Sequence, residues 1–162
     1  MKMNKILPLT VIFLFFLALG CGPKGPRVNY VEGIVTLDGD PVAGASVNFV
    51  PKTPGDSANI DGPLIAGGLT DEKGKYILTS TRGGKVDGGA TCGEYNIAIN
   101  KKTITNLPTN PQVGMQGPPI YRYDIPRQFE MAENSGLSAE VVKGKNVFNF
   151  ALKKDGSFEI TK

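Results

Sequence analysis

The chain has 162 residues, room for one domain, with 18 basic and 15 acidic side chains, two cysteines and no histidine. Lys2 and Lys5 belong to the leader described below, and without them sixteen basic residues face fifteen acidic ones, scattered in runs no longer than Lys101-Lys102 and Lys153-Lys154. That balance leaves no electrostatic footprint for nucleic acid, and the lack of histidine removes zinc-peptidase ligand sets and Ser-His-Asp triads.

The first twenty residues read as a cleaved export signal. Two lysines precede the uncharged stretch Ile6 to Leu19, and small residues follow. These fourteen residues fall short of the roughly 20 needed to cross a bilayer core, and Pro8 weakens any long helix, which argues against a permanent membrane span. LALGC resembles a lipobox, in which the cysteine becomes the lipid-bearing N-terminus of the mature chain. Gly20 and Cys21 fit that pattern, whereas Ala18 stands where leucine is preferred. Ala18-Leu19-Gly20 also suits ordinary signal peptidase, which would leave Cys21 a thiol. A lone thiol at an exposed terminus is a liability in an oxidising compartment, and acylation removes it. Lipidation of Cys21 is therefore expected. Residues 21–30 form a tether in which Gly22, Pro23, Gly25 and Pro26 resist helix and sheet. In the lipoproteins this pattern resembles, Gly22 after the cysteine directs the chain towards the outer membrane.

Residues 31–162 read as one all-β domain. Glycine and proline make about a fifth of the chain, which suits short strands joined by many turns. Apolar residues alternate with polar ones in ASVNFV (Ala45, Val47, Phe49), GEYNIAINK (Tyr95, Ile97, Ile99) and NVFNFALK (Phe148, Phe150, Leu152). Such strands bury one face and wet the other. Strands are expected at 31–37, 45–50, 64–70, 75–80, 93–101, 137–143 and 146–153, with an eighth at the edge over 157–161. Asp38-Gly39, Asp71 to Gly74 and Asp155-Gly156 supply turns between them. The helix-prone stretch is short, around Arg127 to Glu133. About seven short strands with regular turns predict an immunoglobulin-like or transthyretin-like (prealbumin-like) β-sandwich.

Residues 103–136 stand apart. They carry Pro108, Pro111, Pro118, Pro119 and Pro126 without sustained alternation, and 34 residues exceed the usual connection in a compact domain. This Pro-rich loop is either a functional flap or an irregular segment packed over the sandwich. Within it, Tyr121, Arg122, Tyr123 and Arg127 cluster between prolines. Tyrosine and arginine are enriched at recognition hot spots, so these four are the candidate ligand-binding residues. The competing reading has the rings cap one end of the sandwich.

Four blocks, VEGIVTLDGDPVAGASVNFVP, LTDEKGKYILTS, GEYNIAINK and SGLSAEVVKGKNVFNFALK, resemble the successive strands of carboxypeptidase regulatory-like (transthyretin-like) domains found in small bacterial lipoproteins. The likeness spans roughly residues 30–153. Cys92 stands where such domains usually have proline, and Phe129 where tyrosine is expected. The resemblance implies a non-catalytic accessory domain, not the peptidase. The transthyretin-related hydrolases depend on histidines this chain lacks.

No catalytic set, metal site or cofactor is expected. Asp71-Glu72-Lys73 reads as a polar turn, since a calcium loop needs six or more spaced oxygens. Cys92 reads as a small apolar plug beside a strand rather than a redox thiol. The expected function is a non-enzymatic structural or protein-interaction module, exported and held to the membrane by lipid. Its alternative is a carbohydrate- or peptide-binding module using residues 103–136. The partners are then an envelope protein or a glycan.

Overall fold

The computed structural model describes residues 28–53, 62–82, 85–108, 110, 112, 114 and 117–162. The expected leader, Cys21 and residues 22–27 of the tether lie outside the described residues.

Two mixed-length sheets face each other. In the first, Ser138–Val141, Gly93–Asn100, Ser46–Pro51, Ala66–Leu69, Thr79–Arg82 and Lys85–Gly88 lie side by side, each antiparallel to the next. In the second, Val31–Leu37 is central. Asn146–Val147 and Asn149–Leu152 run parallel to it on one side, and Phe158–Thr161 forms the edge beyond. Lys75–Ile77 and Asp40–Pro41 pair with its other side. The alternating faces explain why these segments pack as they do. Ala45, Val47 and Phe49, then Tyr95, Ile97 and Ile99, and then Phe148, Phe150 and Leu152 are all buried in one core. Phe49 reaches across the sandwich to Phe148 and Phe150, with ring centroids 5.9 and 6.3 Å away.

The two-residue turn at Asp38-Gly39 joins Leu37 to Asp40 with both turn residues at positive φ, 53° and 93°. That geometry matches the twist of the flanking strands and needs a residue pair that tolerates it. At Asp71–Gly74 the Asp71 carboxylate accepts the amides of Lys73 and Lys75, each at 2.9 Å, so the acidic turn serves its own backbone.

The expected single strand 75–80 instead changes sheets. Lys75–Ile77 pairs with the second sheet, the Leu78 amide donates to the Val31 carbonyl, and Thr79–Arg82 joins the first sheet. This corner closes one side of the sandwich. The opposite side stays open between the two edge strands Ser138–Val141 and Phe158–Thr161. The sandwich also begins earlier than expected. Val28–Asn29 pairs with Ala90–Thr91, and Asn29 is buried, so the last residues assigned to the tether belong to the fold.

Candidate functional site

The segment expected as one irregular loop is two structures with different tasks. Its second part caps the sandwich. Arg127–Glu130 forms a 3-10 turn that places Phe129 in the core, edge-on to Phe158 at 6.1 Å. Ile125, Ala132 and Leu137 are buried beside it, and the Gln128 side chain donates to the Gly156 carbonyl. Ser135 pins the return path, its hydroxyl donating to the Ile97 carbonyl at 2.6 Å and accepting the Leu137 amide at 3.1 Å.

Its first part leaves the sandwich. Lys102–Ile104 pairs antiparallel with Tyr121–Tyr123 as a separate two-stranded ribbon. Asp124 N–H donates to the Lys101 carbonyl at its root, and Asn106 clamps its far end by donating to Pro118 O and accepting from Ile120 N–H, both at 2.9 Å. Not one described residue between 101 and 124 is buried. Leu107, Ile120 and Tyr121 are 62%, 61% and 40% exposed, so the ribbon adds nothing to the core.

The ribbon's register brings the candidate residues together. Tyr123 lies opposite Lys102 and Tyr121 opposite Ile104, so these four share one face, while Arg122 lies opposite Thr103 on the other. Lys102 Nζ sits 5.1 Å from the Tyr121 ring centre and donates to Glu130 at 3.0 Å. The Glu130 carboxylate beside it raises the Lys102 amine above its usual range. Arg127 lies over Tyr123, 4.8 Å from the ring centre. Arg122 donates to the Asp124 carboxylate at 3.0 Å, and Lys101 approaches the same carboxylate at 3.9 Å. Tyr121, Tyr123 and Arg127 thus meet on one face and Arg122 flanks it. The tyrosines do not cap the sandwich, because Phe129 and Ile125 do. Lys102 belongs to the cluster too. It stands nineteen residues from Tyr121, and only the strand pairing reveals the link.

The cluster lies far from the N-terminal entry. Val28 pairs with Thr91, at the end where the long Gly93–Asn100 strand begins, and the ribbon grows from the strand's other end at Asn100. Eight strand residues span roughly 24 Å. The Tyr-Arg patch and the point where the tether joins are therefore at opposite ends of the sandwich.

The rest of the surface offers less. A cleft of about 200 Å³ lies in the open side, lined by Lys52, Glu94, Glu140, Phe148, Ile160 and Lys162. A larger one of about 290 Å³ adjoins it, lined by Val142, Lys145, Asn146 and Val147 and sharing Glu140, Phe148 and Lys162. The first falls below and the second only approaches the roughly 300–1,000 Å³ usual for a small-molecule site, and Lys52 and Glu94 neutralise each other at 3.3 Å. On the outer face of the second sheet, Glu32 accepts from Lys145 at 2.7 Å, Lys75 at 2.8 Å and the Tyr30 hydroxyl at 3.1 Å. The two ammonium groups hold its carboxyl down at about 2, so it stays charged and bridges neighbouring strands. Burial pushes the Tyr76 hydroxyl far up, and that group donates to the Phe148 carbonyl at 2.8 Å.

Cys92 is exposed rather than a buried plug, with the Asn29 amide donating to its sulfur at 3.2 Å. Alternation explains this: Thr91 turns inward to bond the Tyr95 hydroxyl at 2.7 Å, which turns Cys92 outward. Among the described residues no three His, Cys, Asp or Glu side chains are grouped to hold a metal, and no helix is long and apolar enough to cross a membrane. No family model matches the chain, and no curated protein or solved structure matches it either.

Proposed function

We propose that this chain is a non-catalytic interaction module of the bacterial cell envelope, exported, anchored by lipid on Cys21 and presenting its ribbon to a protein partner. The observation that carries the reading is the placement of the patch. Tyr121, Tyr123 and Lys102 stand on a ribbon outside the core, with Arg127 over Tyr123 from the adjoining 3-10 turn, at the end of the sandwich away from Val28. An anchor joined to the fold at Val28 leaves the ribbon at the far end of the sandwich from the attachment point. Tyr121 and Arg127 are exposed and Tyr123 partly so, and tyrosine and arginine side chains outside the core are the usual material of a recognition hot spot. The four-block resemblance to carboxypeptidase regulatory-like domains supports the same reading, since those are accessory domains. The leader, the lipobox-like LALGC and Gly22 support export and outer-membrane anchoring.

The test is the joint replacement of Tyr121, Tyr123 and Arg127 by alanine. Stability should stay within about 0.5 kcal/mol of the wild type, as it does for most surface changes, while capture of the envelope partner is lost. A loss of several kcal/mol would make the patch structural, and retained capture would place the contact elsewhere.

A further inference from the structure

Among the described residues both outer edges of the ribbon, at Lys102/Ile104 and at Tyr121/Tyr123, lack a strand partner, and Arg127 lies over the second, on Tyr123. Thr105 N–H donates to the Ile120 carbonyl and Asp124 N–H to the Lys101 carbonyl. In an antiparallel ladder this makes 101/124, 103/122 and 105/120 the hydrogen-bonded pairs. The N–H and C=O groups of Tyr121 and Tyr123 therefore point away from the partner strand. Among the described residues no other strand pairs with that edge. Such an edge is a template for one more strand.

Charge says what kind of strand fits. Residues 101–130 carry four basic side chains, Lys101, Lys102, Arg122 and Arg127, against Asp124 and Glu130. The remainder of residues 28–162 carries ten basic against thirteen acidic ones, so the ribbon and the turn that follows it make a cationic end on an acidic sandwich. Among the described residues no carboxylate pairs with Arg127, whose guanidinium rests on Tyr123 alone. The cations lie on both faces of the ribbon, Lys102 and Arg127 with the tyrosines and Arg122 opposite. An added strand with carboxylates at alternate positions turns them all to one face, and on the tyrosine face Arg127 lies without a carboxylate partner among the described residues. The exposed Leu107 and Ile120 at the far end suit an apolar residue beyond the acidic run.

We propose that the outer edge of Tyr121–Tyr123 takes an extended acidic segment of a partner protein as a third strand, a claim that rests on the ribbon being the contact surface. Backbone pairing supplies the alignment, and Arg127, backed by the net positive charge of residues 101–130, selects the acidic side chains.

The experiment uses the full chain in detergent micelles and a blocked synthetic peptide, Thr-Glu-Val-Glu-Thr-Glu-Val-Glu. Two further copies are N-methylated on alternate residues, one in each phase. The parent peptide should bind, more weakly as salt rises, and one methylated phase should bind at least about tenfold more weakly through lost backbone pairing. Polygalacturonate should not displace the peptide. Equal binding of the parent and both methylated phases, displacement by polygalacturonate, or no binding of the parent would each overturn the strand-addition claim. These outcomes separate from the broader reading. If the Tyr121, Tyr123, Arg127 triple variant loses its envelope partner while the peptide fails, the interaction surface stands and strand addition falls. If the triple variant keeps its partner, the interaction surface itself is wrong.

Discussion

Gly33 and Phe148 face each other across the central parallel pair so closely that a Cβ on Gly33 would collide with the Phe148 carbonyl oxygen. The same oxygen accepts the Tyr76 hydroxyl at 2.8 Å, and the Tyr76 ring also lies within reach of that Cβ. Gly33 is thus the residue that lets Val31–Leu37 and the 146–152 stretch approach beneath a buried tyrosine. Gly33→Ala should cost about 3 kcal/mol, because the obstacle is backbone and cannot swing aside. Gly88→Ala, with open space around it, should stay within about 0.5 kcal/mol. Denaturant melts of the two variants check the contrast.

Phe150 and Val147 test the register of the same strand. Phe150 is fully buried, stacked on Tyr76 at 6.1 Å and edge-on to Phe49. Val147 lies on the other face and is only half-buried. Phe150→Ala should cost on the order of 3–5 kcal/mol through the cavity it leaves, and Val147→Ala clearly less. Thermal melts followed by circular dichroism would show the ranking, and a reversed order would contradict it.

Glu32 should make the protein acid-sensitive in a defined window. Its carboxyl, lowered from 4.5 to about 2 by Lys145 and Lys75, binds a proton less readily folded than unfolded. Its contribution is therefore fully present above about 4.5 and is lost as pH falls towards 2. Glu32→Gln should flatten the stability profile across that interval and leave the alkaline limb unchanged. Urea midpoints measured from pH 6 to pH 2 on both proteins give the comparison.

The two cysteines should differ in chemistry. Exposed Cys92 should react with a thiol reagent in the native protein at a rate close to that of the denatured chain. Cys21 should carry a fatty-acid label in growing cells, and Cys21→Ser should abolish that label while Cys92→Ser leaves it. Equal fatty-acid labelling of wild type and Cys21→Ser would remove the anchor from the account.

Much of the core was legible because period-two alternation survives into three dimensions at Val47 and Phe49, at Tyr95, Ile97 and Ile99, and at Phe148, Phe150 and Leu152. The change of sheet at Leu78 left no trace in that pattern. Tyr76, Leu78 and Ser80 alternate inward without interruption, and only hydrogen bonding reveals that their strand crosses from one sheet to the other. The ribbon was hidden for another reason. Its strands are three residues each, far apart in sequence and without a buried face, so alternation had nothing to report. The Tyr-Arg cluster stood out by composition, whereas Lys102 and Glu130 join it only through pairing and the 3-10 turn. The Glu32 ion cluster draws on Tyr30, Lys75 and Lys145, and spacing alone does not unite them.

The most direct measurement of the central claim is site-specific photocrosslinking in cells producing the protein. A photoreactive residue at position 120 replaces Ile120, 61% exposed on the ribbon, and one at position 65 replaces Ile65, 63% exposed at the tether end, where the Leu64 amide bonds Thr91. The ribbon as contact surface predicts a discrete protein adduct from position 120 that disappears when Tyr121, Tyr123 and Arg127 are replaced by alanine, with none from position 65. An adduct from position 65 with none from position 120 would contradict the account.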